Sequence, residues 1–218
     1  MHGLFARLRA ALGLLPDPGT ARWVVVDTET TGLDPDRDHL LSIGAVALHH
    51  GRLALADSFE AVIRSEVPAS GDNVLIHGIG RAQSATGTPL AEALQAWEDW
   101  RDDAPLIACH AEFDRRVLAR AARSTGQRPT RGAWLDPVLV AAALHPDEAR
   151  SRASLDDWLD YFQIPAAQRH SAVGDALATA ELILRLLPQA EREGFHGFKG
   201  LMHAARSTRW QTQRARRG

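Results

Sequence analysis

The chain has 218 residues, 45% of them apolar and 24% charged, with a formal net charge of −2. That length suits one globular domain with short appendages and a sizeable core, while the near-neutral balance argues against a protein that coats nucleic acid non-specifically. No apolar run approaches the roughly 18 residues of a membrane span, and a single cysteine, Cys109, excludes an internal disulfide or thiolate zinc cluster and fits a reducing cytoplasm.

At the start of the chain Arg7 and Arg9 precede an apolar stretch, 10–15, that is broken by Gly13. No small-residue cleavage pattern follows, so it does not read as a signal peptide. Phe5, Leu8, Leu12 and Leu15 recur at helical spacing and predict a short amphipathic helix, followed by the turn-rich linker Pro16-Asp17-Pro18-Gly19. Residues 23–26 form a β-rich apolar run that predicts a buried strand. The polar stretch 28–38, with Gly and Pro, predicts a loop. Residues 40–48 and 53–63 predict two more strands, joined by a hairpin at His50-Gly51. Asp72-Asn73 opens a short segment containing 75–79. Leu90, Ala93, Leu94 and Trp97 predict a helix over 89–100.

A short buried strand is expected over 106–109, with a helix right after it over 112–122. Helices follow over 137–144 and 155–162, and a longer one over 172–187 ends at Pro188. Strands first, then alternation, then helices predict an α/β fold with a mixed sheet flanked by helices. The expected organisation is a helical extension and linker (1–21), one catalytic domain (22–190) and a basic C-terminal extension (191–218). From Gly194 onward there are six basic residues, Lys199, Arg206, Arg209, Arg214, Arg216 and Arg217, and no acid. On charge alone such a tail fits phosphate contact and fits a frayed, solubilising end equally well.

Asp27 and Glu29 follow directly on the strand 23–26. Residues i and i+2 of a strand share a face, so these carboxylates converge at its C-terminal end, where sites collect in open α/β sheets. About three such acid-x-acid pairs arise by chance at this composition, and Asp34/Asp36 and Glu191/Glu193 read as solvated. Context separates Asp27/Glu29: an apolar strand runs straight into Asp27-Thr28-Glu29-Thr30-Thr31-Gly32-Leu33. Asp114 likewise follows a buried strand, in the first turn of a helix where acids are favoured anyway. Asp175 stands beside Ala172, Ala176 and Ala178, and an acid among small residues points to room for a ligand's approach.

Four such acids suit phosphodiester hydrolysis. Two divalent cations about 3.5–4 Å apart stabilise the attacking and leaving oxygens of an in-line displacement. Mg²⁺ and Mn²⁺ prefer oxygen ligands, and converging carboxylates offset their charge. Histidine is suited to take the proton of the attacking water near neutral pH, and His170 lies in the loop leading into the helix of Asp175.

These motifs resemble the DEDD exonucleases, and within them the histidine (DEDDh) branch that includes the proofreading subunit of bacterial replicative polymerase. The first motif is Val26-Asp27-Thr28-Glu29-Thr30-Thr31-Gly32-Leu33. The second ends Ala111-Glu112-Phe113-Asp114, and the third joins His170 to Asp175. His77-Gly78-Ile79 resembles a further segment typical of the branch, and the order holds from about Arg22 to Leu187. The resemblance implies a ribonuclease H-like fold and a metal-dependent 3′→5′ exonuclease acting on DNA. It implies that Asp27, Glu29 and Asp175 hold a first metal, that Asp27 bridges to a second supported by Asp114, and that His170 is the general base. It further implies that Thr30 and Leu33 contact and wedge the terminal nucleotides and that Phe113 packs near the terminal base; Thr31, His110 and His77 are further candidate substrate contacts, His77 reading also as a structural residue at a helix start. The second motif departs from the usual His-Asn-Ala-x-Phe-Asp, because Cys109-His110 stand where His-Asn is customary. None of the four acids is affected. Cys109 reads as a buried strand residue.

The expected partner is the 3′ end of single-stranded DNA. The alternatives are an exoribonuclease or short-oligonucleotide trimmer, and an interaction subunit whose tail, 207–218, docks on a polymerase or clamp. His49, His50, His145, His196 and His203 read as structural. Trp97, Trp100 and Trp158 read as core, and Trp210, in the basic tail, as a contact with nucleic acid or a partner.

Overall fold

A computed structural model describes residues 22–65, 85–166 and 169–215, with side chains to Thr208. The expected N-terminal helix, the 75–79 segment with His77, and the Trp210 side chain lie outside the described residues. Five strands form one sheet: β1 (Arg22–Thr30), β2 (Leu40–His49), β3 (Arg52–Val62), β4 (Leu106–Ile107) and β5 (Trp134–Leu135). Their order is β3-β2-β1-β4-β5. The first three strands pair antiparallel, whereas β4 runs parallel to β1 and β5 parallel to β4. The sheet is therefore mixed, as the element order predicted.

The β2–β3 hairpin turns through His50 and Gly51, with φ of 53° and 68°. Two positive φ values at a two-residue loop match the twist of the flanking strands. Nine of the ten β2 residues are buried, because helices cover both faces of the strand. Side chains of β1 alternate between two cores. Trp23 and Val25 join one cluster, and Val24 and Val26 join the other.

Six α-helices occur among the described residues: α1 (Leu90–Arg101), α2 (Glu112–Ser124), α3 (Pro137–Leu144), α4 (Leu155–Phe162), α5 (Ala172–Arg192) and α6 (Gly197–Ala215). None is long and apolar enough to cross a membrane. Helices α1 and α2 pack with Val24 and Val26 through Leu94, Trp97, Val117 and Leu118. Helices α3 to α6 cover the other face through Val140, Trp158, Leu182, Ile183 and Leu201. Trp97 and Trp158 are fully buried, as expected of core residues. The ring of His145 packs among Trp158, Tyr161 and Phe162.

Several boundaries differ from expectation. β1 runs on through both acids to Thr30, because Thr28 and Glu29 still pair with Ile43 and Ser42. β4 is shorter than 106–109, although the Ala108 amide still donates to the Leu135 carbonyl at 3.0 Å. The two-residue β5 carries too little periodicity to be read in sequence. α5 does not stop at Pro188 but continues to Arg192. Proline removes one helical hydrogen bond, yet Leu186 and Ala190 on either side of it are wholly buried. Packing holds the helix across that gap.

The basic segment is helical too. Leu201, Ala204, Ala205 and Thr208, spaced i, i+3, i+4 and i+7, are buried, and the Thr208 hydroxyl donates to the Leu139 carbonyl of α3 at 3.2 Å. That apolar stripe was the available sequence signal, and the surrounding arginines obscured it.

Candidate active site

The pairing of β1 with β2 shifts register between Glu29 and Thr30, and irregularities of this kind re-aim side chains where pairing ends. Just before the shift, Asp27 and Glu29 project from one face, each half-buried. The intervening Thr28 is buried and donates its hydroxyl to Asp114 Oδ1 on α2 at 2.8 Å.

Asp175 reaches the same place from α5. That helix is capped by Ser171, whose Oγ accepts from the Gly174 amide at 3.2 Å. Ala172, Ala176 and Ala178 are buried. These small residues let the start of the helix pack closely on the sheet. The closeness is possible because β2 offers a glycine, Gly44, opposite Asp27. A Cβ at Gly44 would stand 2.2 Å from the Val173 nitrogen.

Three acids from β1 and α5 therefore meet. Carboxylate oxygens of Asp27, Glu29 and Asp175 all lie within 4.8 Å of one another. Asp114 sits behind them, buried and hydrogen-bonded to Thr28. Burial pushes the Asp27 carboxyl well above its ordinary range, and the charges of Asp114 and Glu29 add to that. Burial also raises Glu29. The Asp114 carboxyl is pushed up to about 7, mainly by burial and less by Asp136, while the Thr28 hydroxyl opposes the rise. Crowded acids that resist ionisation favour a cation among them. An all-oxygen donor set of this kind fits Mg²⁺ or Mn²⁺.

One cation of the chain already faces the cluster. The Arg169 guanidinium contacts Asp175 through Nη1, while Nε and Nη2 reach Asp156 Oδ1 of α4 at 2.9 and 2.7 Å. Its charge acts against the upward push on both Asp27 and Glu29. Neither Arg169 nor Asp156 was singled out in sequence. Asp136, the N-cap of α3, was missed as well, although Asp before Pro137 is a helix-start signal.

His170 lies in the turn before α5, exposed, with φ of 68° and its amide 3.4 Å from Asp175 Oδ1. Among the expected substrate contacts, Leu33 is 92% exposed beyond the end of β1. Thr30 is buried, and its hydroxyl donates to the Gly32 carbonyl at 2.5 Å. The Thr31 hydroxyl donates to Asp38 at 3.0 Å. Phe113 packs partly buried against the α1–α2 core. His110 is exposed with φ of 53°, a left-handed position that histidine and asparagine adopt more readily than most residues. Cys109, expected as a buried strand residue, is half-buried in the turn after β4, and the burial it has raises its thiol well above the ordinary value.

The sequence profile of a family described as "Exonuclease" matches residues 24–183. A DNA polymerase III subunit epsilon-like protein of Rhodobacter capsulatus is 34% identical over 186 residues, covering 84% of this chain and 26% of that protein. The chain thus spans about a quarter of that relative, and 12% of a DNA polymerase III PolC-type of Caldanaerobacter subterraneus subsp. tengcongensis that is 28% identical over 172 residues. Among solved structures, the nuclease domain of 3′hExo, a DEDDh family member bound to rAMP, superposes with a TM-score of 0.69 at 17% identity. It covers 78% of this chain and 93% of that one. Exonuclease X in complex with 5′ overhanging duplex DNA superposes with a TM-score of 0.60 at 21% identity, with the same coverage.

Proposed function

Since the chain belongs to the exonuclease family, in its DEDDh superfamily and with the ribonuclease H-like fold, we propose that it removes nucleotides one at a time from the 3′ end of DNA, as a proofreading exonuclease does. The observation that carries this reading is the meeting of Asp27, Glu29 and Asp175 within 4.8 Å, from two separate elements, with Asp114 behind them.

Asp27, Glu29 and Asp175 would hold a divalent cation, with Asp27 and Asp114 serving a second. When bound, such ions supply charge stabilisation to the attacking and leaving oxygens of phosphodiester hydrolysis. His170, exposed at the turn before α5, takes the proton from the attacking water. The water oxygen bonds to phosphorus as the bond to the preceding 3′-oxygen breaks. The terminal nucleotide departs as a 5′-monophosphate, and the leaving 3′-oxygen takes a proton from solvent to become the new 3′-hydroxyl of the shortened strand. Leu33, almost fully exposed beyond the end of β1, would wedge against the terminal nucleotides. Thr30 and Thr31 hold the loop that presents it, through Gly32 and Asp38.

The 34% identity to an epsilon-like protein supports DNA as substrate and a polymerase as partner. A structural neighbour bound to rAMP favours RNA as the second reading. The test is digestion of 5′-labelled single-stranded DNA and matched RNA with Mg²⁺ or Mn²⁺, beside EDTA and Asp27→Ala. The expected result is a DNA ladder shrinking from the 3′ end, lost in both controls. Faster loss of RNA would move the second reading to first place. No ladder on either strand would overturn the proposal.

A further inference from the structure

The acid cluster carries a cation of its own. Arg169 lies between two carboxylates, Asp175 in the cluster and Asp156 on α4. Its side chain is 20% exposed and that of Asp175 14%, whereas that of Asp156 is 64% exposed. The two anchors therefore differ. The contact with Asp175 is enclosed, and the contact with Asp156 lies at the surface in the first turn of a helix, where a carboxylate is favoured.

A guanidinium on an Asp175 oxygen occupies the place that a divalent ion held by Asp175 would take. A divalent ion a few ångström away would repel it strongly at the low dielectric of a partly enclosed site. Asp156 gives the displaced cation a place to stay, because one of its oxygens already accepts two N–H groups at 2.9 and 2.7 Å.

We infer that Arg169 is a positioning residue: it holds Asp175 in the ion-free site and is drawn wholly onto Asp156 when a divalent ion binds. Resting on the metal-dependent reading above, this makes the Arg169–Asp156 pair a determinant of metal affinity. Arg169 keeps the acids gathered and Asp175 aimed inward without an ion, and Asp156 eases the exchange. The two residues therefore act on affinity in opposite directions.

The test is Mn²⁺ binding to the full chain at pH 8 without nucleic acid, read from the electron paramagnetic resonance of free Mn²⁺. Thermal melts with EDTA and with Mn²⁺ accompany it. Arg169→Gln is expected to bind Mn²⁺ roughly tenfold tighter, the scale of removing one like-charge contact in a partly enclosed site, and to melt lower in EDTA but not in Mn²⁺. Asp156→Asn should bind about threefold more weakly, because the displaced guanidinium loses its second anchor. The double variant should behave as Arg169→Gln does. Unchanged or weaker binding by Arg169→Gln overturns the inference. If that variant does not fold, Asp156→Asn decides alone, and unchanged affinity overturns it. A wild-type chain that binds no Mn²⁺, or an Asp27→Ala variant that binds it equally well, sinks the metal-dependent reading and this inference with it.

Discussion

Asp27 stands directly across from Gly44 in the antiparallel β1–β2 pair, and the first turn of α5 rests on the backbone of that glycine. A Cβ there would lie 2.2 Å from the Val173 nitrogen and 2.3 Å from the Ala172 carbonyl carbon. The missing methyl group lets the helix come near enough for Asp175 to meet Asp27 and Glu29.

Gly44→Ala is accordingly expected to push the start of α5 outward, since the atoms it meets are backbone and cannot rotate away. Overpacking of this kind lowers stability by about 1–3 kcal/mol, and activity should fall with it as Asp175 moves. Denaturant melts and exonuclease rates on the same preparation check this. An alanine variant equal to wild type in both would mean that the helix has slack at Gly44.

Thr28 and Asp114, 86 residues apart, share a buried hydrogen bond of 2.8 Å. Thr28→Val removes the donor and leaves the Asp114 carboxyl unpaired by it, at a cost of about 1 kcal/mol. Thr28→Ser keeps the hydroxyl and should stay close to wild type. Thermal melts of the two variants should therefore separate, and coincident melts would count against the bond.

Replacing His170 with Ala should lower the turnover rate on the order of 10²–10⁴, with little change in stability, because the side chain is exposed. The shortfall should be smallest at high pH, where hydroxide replaces the base. A loss below threefold across the pH range would remove His170 from the mechanism.

Asp57 marks a place where pH acts on stability away from the site. The Arg22 guanidinium, bonding it at 2.7 and 3.0 Å, and His49, at 2.7 Å, hold its carboxyl down at about 2. A carboxyl depressed in the folded state binds fewer protons there than in the unfolded chain. Its stabilisation is thus fully present above the ordinary value of 3.8 and is lost as pH falls through about 2. Asp57→Asn should narrow its deficit against wild type between pH 4 and pH 2 and hold a constant deficit above pH 4. Urea titrations across that window check the sign, and parallel curves would contradict it.

Much of this was legible in the chain. Val24 to Val26 running into Asp27-Thr28-Glu29 marked both a buried strand and the acids at its end, because an apolar run and an i, i+2 pair are local patterns. The His50-Gly51 hairpin, and the helices that begin after Ser154 and Ser171, carried their turn and capping residues in sequence. Pro188 and the arginines beyond it misled, since the burial that keeps α5 and α6 helical comes from other elements.

The order and type of most elements, β5 and α6 apart, and the four candidate acids thus lay in short-range periodicity and motif spacing, where each residue is read against neighbours a few positions away. The packing of α5 on Gly44, the bond from Thr28 to Asp114 and the hold of Arg169 between Asp156 and Asp175 had no such signal. Each joins side chains or backbone that the chain keeps far apart, and only folding makes them neighbours.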